Sequence, residues 1–328
     1  MDLLWRAAIL NLVSSGLSVI GGILIFIEYS INFQHNRLAT MFVFMTIGDV
    51  MYAAGYIVGN MRYHDLYVHV ETNAYVIGTD CKCNTVSDDA SSGLLCKGQS
   101  FVTTYASLVS FAWTCNLLIT LYLYYRGHDR PSRLREWIMH IVGWILPDLC
   151  VVVIIAVSVG ALGEDKGDYG VPWCWVRNVT SKGEKILWTL LAGKFWEILT
   201  YIITFVIFVL CMKHTSCNRI KADKEHVDDQ SLRIQRFPYA CIILLSVRCF
   251  GTVRFFLYVF DAQVSDTSHE WLLNLQSIGD GSLAFVNFVF YLFTNPPVVR
   301  EYWGRIRCCK RERSGSLINP NIIEDNSK

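Results

Sequence analysis

Seven apolar stretches of 22–27 residues divide this chain, at about Ala7–Ile31, Leu38–Gly59, Phe101–Tyr125, Trp137–Leu162, Ile186–Met212, Pro238–Phe260 and Trp271–Thr294. A helix needs roughly 20 mostly apolar residues to cross about 30 Å of hydrocarbon. Each stretch meets that length and far exceeds a barrel strand. A helix also satisfies its own backbone hydrogen bonds, which an open strand in lipid would not. Composition agrees: 53% of residues are hydrophobic and only 17% charged, too few to coat soluble domains of this size. The 29 Lys+Arg and 28 Asp+Glu nearly cancel, so nothing suggests a nucleic-acid partner. The expectation is an all-α seven-transmembrane helix bundle. The first stretch is too long for the core of a cleaved signal peptide and reads as a retained span.

Orientation follows the basic residues between spans. With the N-terminus outside, inner segments hold 18 Lys and Arg, against 8 in outer segments. The inner ones include Arg126, Arg130, Arg133 and Arg135 after the third span, and Lys213 and Arg236 between the fifth and sixth. Four cysteines then face an oxidising exterior: Cys81, Cys83, Cys96 and Cys174. Three pairings are possible. The favoured one joins Cys96, at the mouth of the third span, to Cys174 in the loop after the fourth, and Cys81 and Cys83 stay unassigned. Cysteines inside spans read as packed thiols, since paired CxxC or spaced histidines for zinc are missing. Asn178-Val179-Thr180 is an outer-loop glycosylation sequon.

Beyond Asn295-Pro296-Pro297, the segment VVREYWGRIRCCKRER places Val298, Val299, Tyr302, Trp303 and Ile306 on one helical stripe with arginines opposite. That pattern predicts a short amphipathic helix over about 297–310, lying on inner-leaflet lipid, with Cys308 and Cys309 as palmitoylation candidates. A plain basic juxtamembrane segment is the competing reading. Residues 1–310 read as one seven-span domain, and 311–328 as a disordered cytoplasmic tail.

The loop GVPWCWV (170–176) resembles the WCW loop of the slime-mould cyclic-AMP chemoattractant receptors and their animal relatives. LLAGKFWEILTY (190–201) and SVRCFGTVRFFL (246–257) are similar to the fifth and sixth spans of animal orphan members of that group. The resemblance covers about residues 7–310 and points to the cyclic-AMP-receptor-like group of G-protein-coupled receptors. It implies a ligand-gated receptor in the plasma membrane, acting through heterotrimeric G proteins, with the Cys96 and Cys174 equivalents bonded. It supplies no ligand. The chain departs from the rhodopsin-like pattern. Tyr124-Tyr125-Arg126 closes the third span where that family has Asp/Glu-Arg-Tyr, and Asn295-Pro296-Pro297-Val298-Val299 lacks the tyrosine of NPxxY.

Charged side chains in spans normally face a bundle interior or water. Asp49, Asp148, Lys194, Glu197, Arg248, Arg254 and Asp280 lie well inside the stretches. Three readings compete: a network that changes partners between receptor states, ligand contacts, and a static polar core. The network candidates are Asp49, Asp148, Arg248 and Asp280 with Asn116 and Asn287, though the two asparagines also suit interhelical hydrogen bonding alone. The pocket candidates are Lys194, Glu197, Arg254 and Trp175. Lys194 and Glu197, three residues apart, share a helical face. Arg248 is expected to pair with Asp280 in the neighbouring span, with Asp49 as the competing partner.

Other classes fit less well. A polytopic transporter or channel with a mid-membrane charged site is the alternative, but the span count is odd and no internal repeat is visible. Thr46-Ile47-Gly48-Asp49 and Ser277-Ile278-Gly279-Asp280 lack the first glycine of a membrane aspartyl protease motif, and clustered histidines for a zinc hydrolase are missing. An enzyme is not expected. The seventh span has no lysine for retinal, and no cofactor or metal is called for. G-protein contacts are expected from 126–136 and 213–237, although positive-inside bias alone would also put charge there.

Overall fold

The computed structural model describes residues 3–31, 37–77, 90–126, 132–157, 173–176, 181–219, 246–260 and 270–294. The predicted amphipathic helix, the tail, Asn178, Arg130, Arg236, Cys308 and Cys309 lie outside them. Helix α1 spans Leu3–Ile31, α2 Arg37–Ile77 and α3 Ala90–Tyr125. Helix α4 runs through Arg133–His140, a π turn at Ile141–Ile145, and Leu146–Val157. Helix α5 repeats that plan as Lys182–Thr189, a π turn at Leu190–Lys194, and Phe195–Arg219. Helix α6 covers 246–260, and α7 consists of Glu270–Gly281 and Leu283–Thr294. Helices α2 and α3 run well past the apolar stretches of the sequence. Hydropathy marks what lipid covers, whereas the polar residues beyond it are still compatible with helix.

The bundle turns its polar residues inward. On α1, Ile9, Val13, Leu17, Ile20 and Leu24 are exposed while Asn11, Ser14, Ser15 and Ser18 are buried. In lipid this is the stable arrangement, because hydrocarbon solvates leucine as well as a core does and close helix contacts favour small residues. Gly21 lets α1 touch α7 backbone to backbone, since a Cβ there would lie 2.8 Å from the Phe285 Cα. Gly48 brings α2 equally near α3, where a Cβ would meet the Ser110 amide nitrogen at 3.0 Å. Of α3's apolar window 72% is buried, against 28% for α4 and α5, so α3 is the central helix.

Two irregularities in the helices have identifiable causes. In α4 the π turn precedes Pro147, which has no N–H to continue the ladder. There Gly143 lies under the Trp113 indole, where a Cβ would come within 2.5 Å of the ring. In α7 the chain breaks at Ser282, whose N–H is shared between the carbonyls of Ile278 at 3.0 Å and Gly279 at 3.3 Å. Just before it, the Ser277 carbonyl accepts from Asn11 Nδ2 at 2.9 Å and Ser14 Oγ at 3.2 Å, which ties α1 to α7.

Candidate functional site

The site starts with a covalent anchor. Cys96 on α3 and Cys174 are bonded at 2.06 Å across a sequence separation of 78. The Cys174 N–H donates to Gln99 Oε1 at 3.0 Å, and Ser100 Oγ donates to the Trp175 carbonyl at 3.0 Å. Those bonds turn the two tryptophans of the loop into the bundle. Trp173 is buried against Tyr56 with ring centroids 4.8 Å apart, and the Tyr56 and Tyr52 hydroxyls are 2.5 Å apart.

Below the loop lies a small cavity that opens to the outside. Aromatic rings of Tyr52, Tyr56, Phe111, Trp173 and Trp175 form much of its wall, and Lys194, Glu197, Arg248 and Asp280 supply its charge. Apolar walls with a few convergent polar groups are the usual make-up of a small-molecule site. The π turn in α5 ends at Lys194, which is 93% buried, and Gly193 on that turn faces the Trp175 ring. Lys194 Nζ donates to Glu197 Oε2 at 2.7 Å. Glu197 Oε1 also accepts from Tyr201 at 2.6 Å and from Thr252 on α6 at 2.5 Å. That carboxylate is held on both oxygens and ties α5 to α6.

One step deeper, Asp49 collects donors from three helices. Its Oδ1 accepts from Ser110 Oγ at 2.6 Å and Arg248 Nη2 at 3.0 Å, and its Oδ2 from Asn287 Nδ2 at 2.7 Å. Arg248 Nη2 also lies 3.2 Å from Ser110 Oγ, and the guanidinium stacks over Phe111 at 4.5 Å. Helices α2, α3, α6 and α7 therefore meet at one ion pair, with Asp49 and Arg248 each more than nine-tenths buried. Such a pair repays its desolvation only with further hydrogen bonds, and here Ser110 and Asn287 supply them to the Asp49 carboxylate.

Several expectations need correction. Arg248 pairs with Asp49 and not with Asp280; Asp280 accepts instead from Gln276 Nε2 at 3.2 Å, one turn earlier on α7. Asp148 is no part of the network. It lies exposed on α4, because the π turn resets the helical phase before it. Asn116 is also elsewhere, donating to the Met139 carbonyl at 3.0 Å and joining α3 to α4. Arg254 does not line the cavity; its Nη1 donates to Gln276 Oε1 at 2.7 Å, behind the α7 wall. At the other end, Arg126, Arg133 and Lys213 are exposed, Arg135 is half-buried, and Arg37 pairs with Glu136 at 2.9 Å.

Ser110, Thr252, Tyr201, Gln276 and the Tyr52–Tyr56 pair were not singled out by sequence reasoning. A signal existed for some of them. Glu197 and Tyr201, and Gln276 and Asp280, are each four residues apart, so polar neighbours at i±4 of every intramembrane charge identify them.

Comparison with known proteins agrees with this architecture. A family model described as 7 transmembrane receptor (Secretin family) matches residues 8–278. G-protein coupled receptor 157 of Mus musculus is 25% identical over 95% of this chain and 89% of its own length. The Homo sapiens protein of the same name is 28% identical over 60% of each chain. Cyclic AMP receptor 4 of Dictyostelium discoideum is 23% identical over 66% of this chain and 45% of its own. The matched family is one of multi-pass membrane receptors, not enzymes. The chain belongs to the seven-transmembrane receptor (secretin) family and thus to the G-protein-coupled receptors.

Proposed function

We propose that this receptor senses an extracellular ligand in the cavity beneath the Trp173–Trp175 loop and passes the signal to a heterotrimeric G protein on its opposite face. The N-terminus is outside, and the receptor works at the plasma membrane. The observation that carries this reading is the double position of Arg248. It lines the cavity and also closes the buried ion pair that joins α2, α3, α6 and α7. A ligand that alters the Arg248 environment thereby changes the relative stability of two helix packings, which is what population shift requires. The lower face presents Arg126, Arg133, Arg135 and Lys213 to the G protein, and Arg130 and Arg236 belong to the same basic loops. Attachment through palmitoylated Cys308 and Cys309 and a glycan on Asn178 complete the proposed arrangement.

The test is basal signalling of Arg248→Ala, normalised to receptor at the cell surface. Release of the constraint raises nucleotide exchange per receptor. A static strut gives less folded receptor and unchanged exchange per receptor, which would refute the switch. Ion or solute flux in vesicles lacking any G protein would favour the transporter alternative.

A further inference from the structure

Hydrogen-bonding capacity left unused in the cavity identifies what it can receive. Glu197 is spent: both oxygens are occupied by Lys194, Tyr201 and Thr252. Asp49 is likewise occupied by Ser110, Arg248 and Asn287. Lys194 is not. An ammonium carries three N–H donors, and among the described residues one of them finds an acceptor, on Glu197. Asp280 is not spent either, since among the described residues its carboxylate, 93% buried, accepts only from the Gln276 amide. The cavity thus offers one cationic donor on α5 and one anionic acceptor on α7, both desolvated and both on its lining.

Charge balance independently excludes a guest of net charge. Among the described buried side chains of the cavity and its immediate surroundings, Lys194, Arg248 and Arg254 stand against Asp49, Glu197 and Asp280, three of each sign. A guest with net charge would leave one buried charge uncompensated, which is strongly unfavourable away from water. A guest with one charge of each sign would not.

The spacing is short. A Cβ on Gly251 of α6 would lie 3.1 Å from both Lys194 Nζ and Gln276 Nε2, and that nitrogen is 3.2 Å from Asp280 Oδ2. Laid end to end, these contacts keep Nζ within 9.4 Å of Oδ2 at most. A guest lying in line between them, with a charge-assisted hydrogen bond of about 2.8 Å at each end, then has its own charged atoms under about 4 Å apart. Gly251 keeps that passage clear. The rings of Tyr52, Tyr56, Trp173 and Trp175 supply an apolar wall beside it.

We propose that the cavity binds a small α-amino-acid-type zwitterion, its carboxylate on Lys194, its ammonium on Asp280 and an apolar or aromatic body against the rings. This deepens the receptor reading and rests on it for the consequence of binding. The experiment uses the full chain in lipid nanodiscs. Unfolding midpoints are measured with each common proteinogenic α-amino acid in turn at about 1 mM, and with phenethylamine and 3-phenylpropionate as single-charge counterparts. At least one amino acid is expected to raise the midpoint by about 3 °C or more, with neither counterpart doing so. Lys194→Met and Asp280→Asn should each abolish the shift. Equal stabilisation by the lone amine or the lone acid, or no shift with any amino acid, overturns the assignment, and this comparison on the unmodified chain stands even if a variant fails to fold. Basal nucleotide exchange on G proteins, measured in the same discs, separates the two claims. Exchange without any amino-acid shift removes the ligand class alone, while a shift without exchange on any G protein removes the receptor reading and keeps the binding site.

Discussion

Removing the charge of Asp49 tests the polar centre most directly. Asp49→Asn keeps the shape but takes away the anion that Arg248 Nη2 meets at 3.0 Å, and it places an amide donor among the donors of Ser110, Arg248 and Asn287. Breaking one side of a buried pair costs about 3–5 kcal/mol, most of it the charge left without a partner. Arg248→Met falls in the same range, leaving Asp49 buried with two neutral donors. At about 2 °C per kcal/mol for a chain of this size, each single substitution lowers the unfolding midpoint by about 6–10 °C. Combining them removes both charges, so the double variant should lie within about 3 °C of the worse single one, a coupling of about 2–3 kcal/mol. The assay is thermal unfolding of purified receptor followed by a thiol-reactive dye, read as the added signal when the span cysteines, buried Cys211 among them, become exposed. Additive losses, with the double variant near the sum of the singles, would refute the pairing. Arg248→Met combined with Asp280→Asn serves as a comparison and should show much weaker coupling, since no hydrogen bond joins those two groups.

Three further outcomes are expected. Cys96→Ala and Cys174→Ala should each reduce surface receptor, with the double variant little worse than either, because one bond is lost in all three; closure of a long loop is worth about 2–4 kcal/mol, read by surface labelling. Gly279→Ala should lower the unfolding midpoint by about 1–3 kcal/mol equivalents or more, since its Cβ would run into the Val247 carbonyl of α6, which is backbone and has little freedom to move aside. Neutralising Arg130, Arg133 and Arg135 together should cut G-protein activation several-fold at unchanged surface expression; unchanged activation would take that segment out of the interface.

The number of helices and their polar interior were legible from hydropathy and from the charges lying within it, because lipid leaves so few stable solutions. Which charge meets which was not. Arg248, Asp49 and Asp280 all lie well inside their apolar stretches, and that position says nothing about helix rotation. The Asp49 pairing depends on α2 approaching α3 at Gly48, where backbone contact brings Ser110 beside the carboxylate. Asp148 shows the opposite failure. Its depth suggested the interior, but one π turn points it outward. The loop was the most legible part, since Trp173, Cys174 and Trp175 form a compact motif that the disulfide ties to α3.

The π turns in α4 and α5 have a consequence for how substitutions along these helices will be tolerated. A wide turn admits one extra residue, and each residue of an α-helix turns the chain by about 100°. Positions before and after Leu190–Lys194 therefore keep separate rhythms. A full mutational scan of α5 should not fit one sinusoid from Lys182 to Lys213. It should split into two wave trains, each with a period near 3.6, whose phases differ by about a quarter of a cycle and whose joint falls at the turn that delivers Lys194 to the cavity. Deleting one residue from that turn would bring the two halves into a single rhythm and swing everything below it, Glu197 included, off the face it now occupies.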